Sequence, residues 1–573
     1  MELLPRLDVS LPEDESNPDA RATSLRCDRD AYVWDWSWPP GCATLRRLPD
    51  DDRYPPRFIA LTAELQVKVR ANHAALAFAT LDAPPPLPAR HEDLARTLFS
   101  AAESFHMGAP RTRPDAVADY ADYFARFPAP PLLDRLRAHP EEADLLFAWQ
   151  RVAGANPMSL RRIARLPEGL SVADAQWQAA VGAGSLDAAL DDGRVFAVDF
   201  TFLHGAPCTA YLGRQKFLCG ARGVFTTAGG GALRPVAIQL EPGGAVFSPA
   251  DGEAWAMARY CLQVADANVH ETMAHLGSTH MVMEAVGAAA RRQLSASHPL
   301  RVLLEPHLVG TFAINESAKT SLIAPEGTID HAFAARIDVA AGLVRKALDG
   351  FVLQDRAPAL ELAARGVDDR ERLPEYPYRD DVLAVYGAIV RFTEGYVRAW
   401  YRDDAAVARD PELRAWVAEC GSPVGGALVG VRPVETVADL ATWLANILHT
   451  ASAQHAAVNF PQWPFFGWCA NVAGACWAPP PRAVADGANG ALGLMPPWDC
   501  AILQSDTVFQ LSGVYYNRLG DYGLQLPPRA RGAADAFAKE LAAIDTRIAE
   551  ADGTRRLPYP FLRPSLIPAS INI

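Results

Sequence analysis

No run of about 20 apolar residues occurs in this 573-residue chain, so no segment reads as a membrane-spanning helix. There is also no CxxC pair. The nine cysteines (27, 42, 208, 219, 261, 420, 469, 476 and 500) are scattered and odd in number, which suits free thiols better than a disulfide framework or a structural zinc site. Positive charge is in deficit, with 54 Lys and Arg against 67 Asp and Glu, a net −13. Such a field argues against nucleic acid as a partner and against polybasic docking on anionic membranes. A signal peptide needs a basic start and an apolar run, whereas MELLPRLDVSLPEDESNPDARA places Pro5 and an acidic stretch there; a cytoplasmic location is expected. No Ser/Gly/Pro tract separates modules, no period of 20 to 50 residues repeats and no heptads persist. One large domain over residues 1–573 is therefore expected, and a monomer.

What is present is mostly helical. Residues 1–57, rich in Pro, Asp and Arg and containing YVWDWSWPPG (32–41), read as a segment wrapping over the core. The pattern from Ile59 to Ala79 suits a helix that PPPLP ends. Apolar residues recur at three and four between 91 and 192, broken at prolines. A small β region follows, VFAVDFTFLHG (195–205) and RPVAIQLEPGG (234–244), with TTAGGG as turn material between them. From Asp251 to Ala324 the chain is almost continuously helix-compatible, and 331–350, 381–401, 437–459 and 533–550 supply further helices. The fold class is mainly α, with long central helices and a small β region.

Five of the thirteen histidines lie between His270 and His307, and His270, His275 and His280 are spaced by five. On a regular α-helix residues five apart are rotated by about 140°, so His275 and His280 cannot aim at one point. Bonding from i to i+5 brings them onto one face, and a π-bulge is expected here. Far along the chain His455 and Asn459 are spaced i, i+4 and share a helix face. Three imidazoles and a weak amide oxygen, with no cysteine at ligand spacing, suit non-haem iron better than a soft-metal site. Each fragment alone is weak evidence, since a histidine on an apolar helix is usually a hydrogen-bonded core residue.

Taken together the pattern H-x4-H-x4-H-x17-H-x8-H, filled by His270, His275, His280, His298 and His307, resembles the signature of the lipoxygenase family. RPVAIQL (234–240), FSPAD (247–251), LSASHP, INESAKTSLI, HAAVNFPQW and the terminal PSLIPASINI stand where that family has similar segments. The resemblance implies the family's helical catalytic domain, in a compact and bacterial form without its N-terminal β-sandwich. It implies iron, or manganese in its place, held by His275, His280, His455, Asn459 and the main-chain carboxylate of Ile573. His270, His298 and His307 are implied to be structural. A buried apolar tail such as SLIPASINI can deliver its carboxylate to a metal, which offsets the carboxylate's desolvation; docked alone, it would be an ordinary tail.

The implied activity is insertion of O2 into polyunsaturated fatty acids with a cis,cis-1,4-pentadiene, such as linoleate or arachidonate, giving hydroperoxides. Long apolar helices suit a tunnel for the acyl chain. Ala318 matches a family position where alanine goes with S products, Leu322 a leucine packed over the pentadiene, and Ala332 and Phe333 the pocket depth. Glu271 and Gln462 are candidates for orienting the ligands by hydrogen bonds, Gln462 through the Asn459 amide. Pro461 stands for the family's usual glycine and Ala569 for its usual asparagine, which puts the placement of Gln462 and the seating of Ile573 in question. The alternatives are a non-catalytic fatty-acid-binding relic of the same fold and a hydroperoxide isomerase. Zinc hydrolysis ranks last, because HExxH is absent.

Overall fold

The computed structural model describes residues 9–79, 112–124, 126–523 and 525–573. The PPPLP segment and the helices expected between 91 and 111 lie outside them. Helix α1 (Pro56–Ala79) and α2 (Ala143–Ala153) precede a five-stranded antiparallel sheet of β1 (Arg161–Arg162), β2 (Val195–Asp199), β3 (Arg222–Thr226), β4 (Arg234–Gln239) and β5 (Val246–Phe247), paired in that order. The sheet differs from the expected strand pair. TTAGGG does make a turn, but between β3 and β4, and RGVFT does not stand out in the sequence because five residues with a glycine carry too little alternation.

Strand side chains alternate between two apolar layers, as the period of two requires. Phe196, Val198, Phe225 and Ile238 join the main core, while Val195, Val224 and Val236 pack with Trp177 in a smaller cluster. Gly223 sits where the sheet meets the central helix, since a Cβ there would lie 2.8 Å from Leu262 Cδ2.

The central helical rod runs as α3 (Glu253–Val269), a π-helical stretch His270–Met281 and α4 (Val282–Gln293). It is buried on nearly every face, as a helix inside a large core should be. The expected bulge is thus a continuous twelve-residue π stretch. The helix-compatible run from 251 to 324 breaks at Leu294–His298 and again at Leu308–Gly310, before α5 (Thr311–Ser317) and a second π segment, Ala318–Leu322. The helix expected over 331–350 begins only at Ile337, as α6 (Ile337–Asp349).

Then come α7 (Pro358–Arg365), α8 (Pro377–Trp400) and α9 (Val437–His449), the last opened by a capping box in which Thr436 Oγ1 accepts from Asp439 N at 3.0 Å. A third π segment, Thr450–Gln454, joins α9 to α10 (His455–Asn459). Finally α11 (Trp498–Leu511) and α12 (Arg531–Asp552) close the chain, with the Phe537 ring of α12 stacked 4.7 Å from Phe392 of α8.

Residues 9–57 do lie on the core, though with a helix of their own at Pro18–Ala31. Leu45 N donates to the buried Glu284 of α4 at 2.7 Å, and Tyr32, Trp34 and Cys42 are buried in the main cluster. All nine cysteines are free, as their spacing predicts.

Helix α6 crosses the His270–Met281 stretch at Gly277, where an added Cβ would lie 2.6 Å from Ala347 Cβ and 3.1 Å from Val344 O. Overpacking of this kind costs about 1–3 kcal/mol. Gly277→Ala is expected to lower unfolding stability by that amount in chemical denaturation, and adding Ala347→Gly to recover most of it. Full stability in the single variant would contradict the close crossing.

Candidate metal centre

Bonding from i to i+5 places His275 and His280 on one face, with their Nε2 atoms 3.2 Å apart. The third π segment turns α10 so that His455 Nε2 lies 3.3 Å from His275 Nε2. Hydroxyls serve the junctions in the same way in each π segment. Thr272 Oγ1 donates to Asn268 O (2.6 Å), Thr450 Oγ1 to Asn446 O (2.7 Å) and Ser321 Oγ to Ser317 O (2.6 Å), taking carbonyls four residues back.

The remaining ring nitrogens establish which atoms are free to bind. Asn315 Nδ2 donates to His280 O at 3.1 Å, so its Oδ1, 2.8 Å away, accepts from His280 Nδ1. His275 Nδ1 lies 3.3 Å from Glu271 Oε2 and donates to it. Both Nε2 atoms therefore carry lone pairs, aimed at one another in a buried space. Burial, then the His275 ring, lowers the pKa of His280 to about 3, and burial with both neighbouring rings holds His455 well below its ordinary value. Converging lone pairs without a proton between them repel, and a cation resolves the repulsion. The residues thus fit a transition metal. His270, Glu271 and His275 form a second close group, but it needs His275 Nδ1, which Glu271 already engages.

Burial pushes the Glu271 carboxyl up, yet the rings of His275, His270 and His280 outweigh it and hold the group near 2, so it stays an acceptor. Asn459 Nδ2 donates to Leu511 O at 2.8 Å, and its Oδ1 accepts from Gln462 Nε2 at 3.0 Å. The hydrogen bond expected from Gln462 is present despite Pro461, which precedes the short helix Gln462–Phe466. Glu271, Gln462, Leu322, Ala332 and Phe333 all line one narrow apolar cavity. Its free volume is only about 20 Å³, less than an acyl chain occupies, so a chain would have to part these walls. Ala318 is buried at the start of the Ala318–Leu322 segment and is not part of that lining.

The lipoxygenase family profile matches residues 95–484. The chain belongs to the lipoxygenase family. A Pseudomonas aeruginosa linoleate 9/13-lipoxygenase is 36% identical over 470 residues, 76% of this chain and 68% of the relative. A rat hydroperoxide isomerase, ALOXE3, is 32% identical over 75% of this chain and 62% of its own. Among solved structures, a lipoxygenase variant crystallised anaerobically with arachidonate superposes with a TM-score of 0.86 at 26% identity, covering 99% of this chain and 83% of that one.

In this lipoxygenase the C-terminal tail reaches His455, whose ring hydrogen-bonds to the Ile573 main chain. Backbone groups seat the tail. His307 Nδ1 donates to Ala569 O (2.7 Å), Thr311 Oγ1 to Ile571 O (2.9 Å) and Ser570 Oγ to Val309 O (2.7 Å). With Ala569 in place of the family's usual asparagine, the seating runs through these bonds. The other histidines of the signature make hydrogen bonds of their own: His270 Nε2 donates to Val458 O at 2.8 Å, and His298 bridges Asp410 (3.0 Å) and Leu300 N (3.1 Å). Sequence reasoning missed Asn315, and no local signal marks it, because its partner is 35 residues away.

Orienting partners of this kind change metal affinity by about 10- to 100-fold. Asn315→Leu is expected to weaken metal binding by that factor in a chelator competition titration, with little change in secondary structure. An unchanged affinity would show that the His280 tautomer is set by something else.

Proposed function

We propose that this lipoxygenase is a non-haem iron dioxygenase that inserts O2 into polyunsaturated fatty acids bearing a cis,cis-1,4-pentadiene and yields hydroperoxides of S configuration. The reading rests on three buried imidazoles, with the Nε2 of His275 3.2 Å from that of His280 and 3.3 Å from that of His455, beside an apolar cavity walled by Leu322, Ala332 and Phe333. His275, His280, His455, Asn459 and the Ile573 carboxylate would hold the metal, and the names of the relatives supply the substrate class.

Iron supplies the one-electron redox chemistry and the route to O2. The chain supplies orientation and dryness. Glu271 and Asn315 hold two imidazoles neutral and aimed, Gln462 holds the Asn459 amide, and the Ile573 carboxylate adds negative charge that offsets the cation in a buried site. The apolar cavity walls position one methylene and exclude bulk water. Ala318, one turn before Leu322, is the position that this reading links to S products, through its place in the family pattern and not through the cavity lining.

A second reading, hydroperoxide isomerisation, is favoured by the 32% identity to the rat isomerase. Consumption of added hydroperoxide without oxygen uptake would favour it.

Oxygen uptake with linoleate and arachidonate, read beside diene absorbance and metal analysis, tests the first reading. The native chain is expected to hold stoichiometric iron and take up oxygen. Deleting Ile573 should lower both metal content and uptake by roughly 100-fold or more. Metal-loaded protein that consumes no oxygen with either acid sinks the proposal. Ala318→Gly is expected to raise the R share of the product severalfold on chiral chromatography, and an unchanged ratio would detach Ala318 from stereocontrol.

A further inference from the structure

The helix carrying His275 and His280 has two faces, and only one belongs to the site above. Ala267 and Glu271 line the narrow cavity. Val269, Met273, Ala274 and Ser278 face the other way, and they are the incompletely buried positions of an otherwise buried stretch from 269 to 281. They form the floor of a second cavity of about 820 Å³. Gln454, the one incompletely buried residue of the Thr450–Asn459 run, lies on the same floor. That volume falls within the roughly 300–1,000 Å³ of cavities that enclose small molecules.

The rim combines cations with exposed apolar side chains. Phe202 and Leu360 are 42% and 59% exposed, among the few large hydrophobics left open on the surface. Arg161, Lys346 and Arg356 stand beside them, and none makes an ion pair among the described residues. Lys346 Nζ sits 4.1 Å over the Phe202 ring, and Arg356 stacks on Phe351 and donates to Gly350 O at 2.6 Å. Acidic groups at the same rim are already engaged. Asp199 accepts from Thr201 N at 2.9 Å, Asp355 pairs with Arg432 at 2.6 Å, and Glu361 pairs with Arg365 at 2.8 Å. At the inner end the imidazole of His449 is buried against the cavity, and neither ring nitrogen makes a hydrogen bond of ordinary length.

We propose that this cavity binds a long-chain carboxylate, with its head at Arg161, Lys346 and Arg356 and its chain along Met158, Met273 and Phe351, as a site separate from the Leu322 cavity. An apolar surface whose rim cations lack ion-pair partners among the described residues while its carboxylates are engaged is the complement of an anionic amphiphile. The bound chain would rest on the backs of both π stretches that carry the triad.

The test needs no turnover, so it stands or falls independently of the dioxygenase reading. A saturated carboxylate with a mid-chain diazirine, which has no pentadiene, is photolysed with the full-length protein and the adducts are mapped by mass spectrometry. Adducts are expected on peptides containing Met158, Met273 or Phe351, suppressed by excess palmitate. The corresponding methyl ester probe should label about tenfold less, as loss of a charge-assisted contact implies.

Arg161→Glu with Lys346→Glu, both exposed positions, should weaken labelling by about tenfold or more. Ala364→Trp, on the exposed face of α7 at the mouth, should block it by filling the entrance. Circular dichroism confirms that both variants fold. Adducts confined to peptides of the Leu322 cavity, equal labelling by the ester, or labelling unchanged in both variants would overturn the proposal.

Discussion

Everything in this molecule turns on a change of hydrogen-bond period inside two buried helices. With i to i+4 bonding, His275 and His280 diverge by about 140°, and no side-chain rotamer brings their rings to one point. Bonding from i to i+5 over His270–Met281 aligns them, and the shorter segment Thr450–Gln454 brings His455 to the same place. Such a stretch is less favourable than α-helix in isolation, so the surroundings must hold it. Helix α6 presses against it at Gly277, the sheet approaches the rod through Gly223 and Leu262, and threonine and serine hydroxyls take carbonyls at the junctions.

The electrostatics of the centre follow from the same burial. An imidazole deep in the core is kept neutral by the cost of desolvating its charged form, so its free nitrogen is an acceptor. Asn315 and Glu271 decide which nitrogen that is. They leave the Nε2 atoms of His280 and His275 without a proton, facing each other and His455. The tail beside this space is seated through bonds to its main chain at Ala569 and Ile571, with Ser570 tied to Val309. A terminal residue is otherwise prone to fray, and this network fixes its position.

The rod also separates two environments. On the side of Glu271 the walls nearly touch, and a chain must part Leu322, Ala332 and Phe333 to enter. Opposite, Met273 and Ser278 open onto a large cavity with charged side chains at its rim. Because core packing is dense, a displacement of the rod at one face is felt at the other.

Much was legible in the linear chain. Five-residue histidine spacing within an apolar helix called for a change of helical period, and i, i+4 spacing paired His455 with Asn459. Both are local properties, set by rise and rotation per residue. Helices over 381–401, 437–459 and 533–550 were also readable, because apolar residues repeat on one face, and the structure has helical segments there with shifted ends and a π segment inside the second. What the sequence could not determine were relations between distant segments: the middle strand Arg222–Thr226, whose glycine matters only against Leu262; Asn315, placed by tertiary packing against His280; the continuation of π bonding over twelve residues; and the narrowness of the Leu322 cavity. Each depends on which surfaces meet in the folded chain, and residue spacing along a sequence carries no record of that.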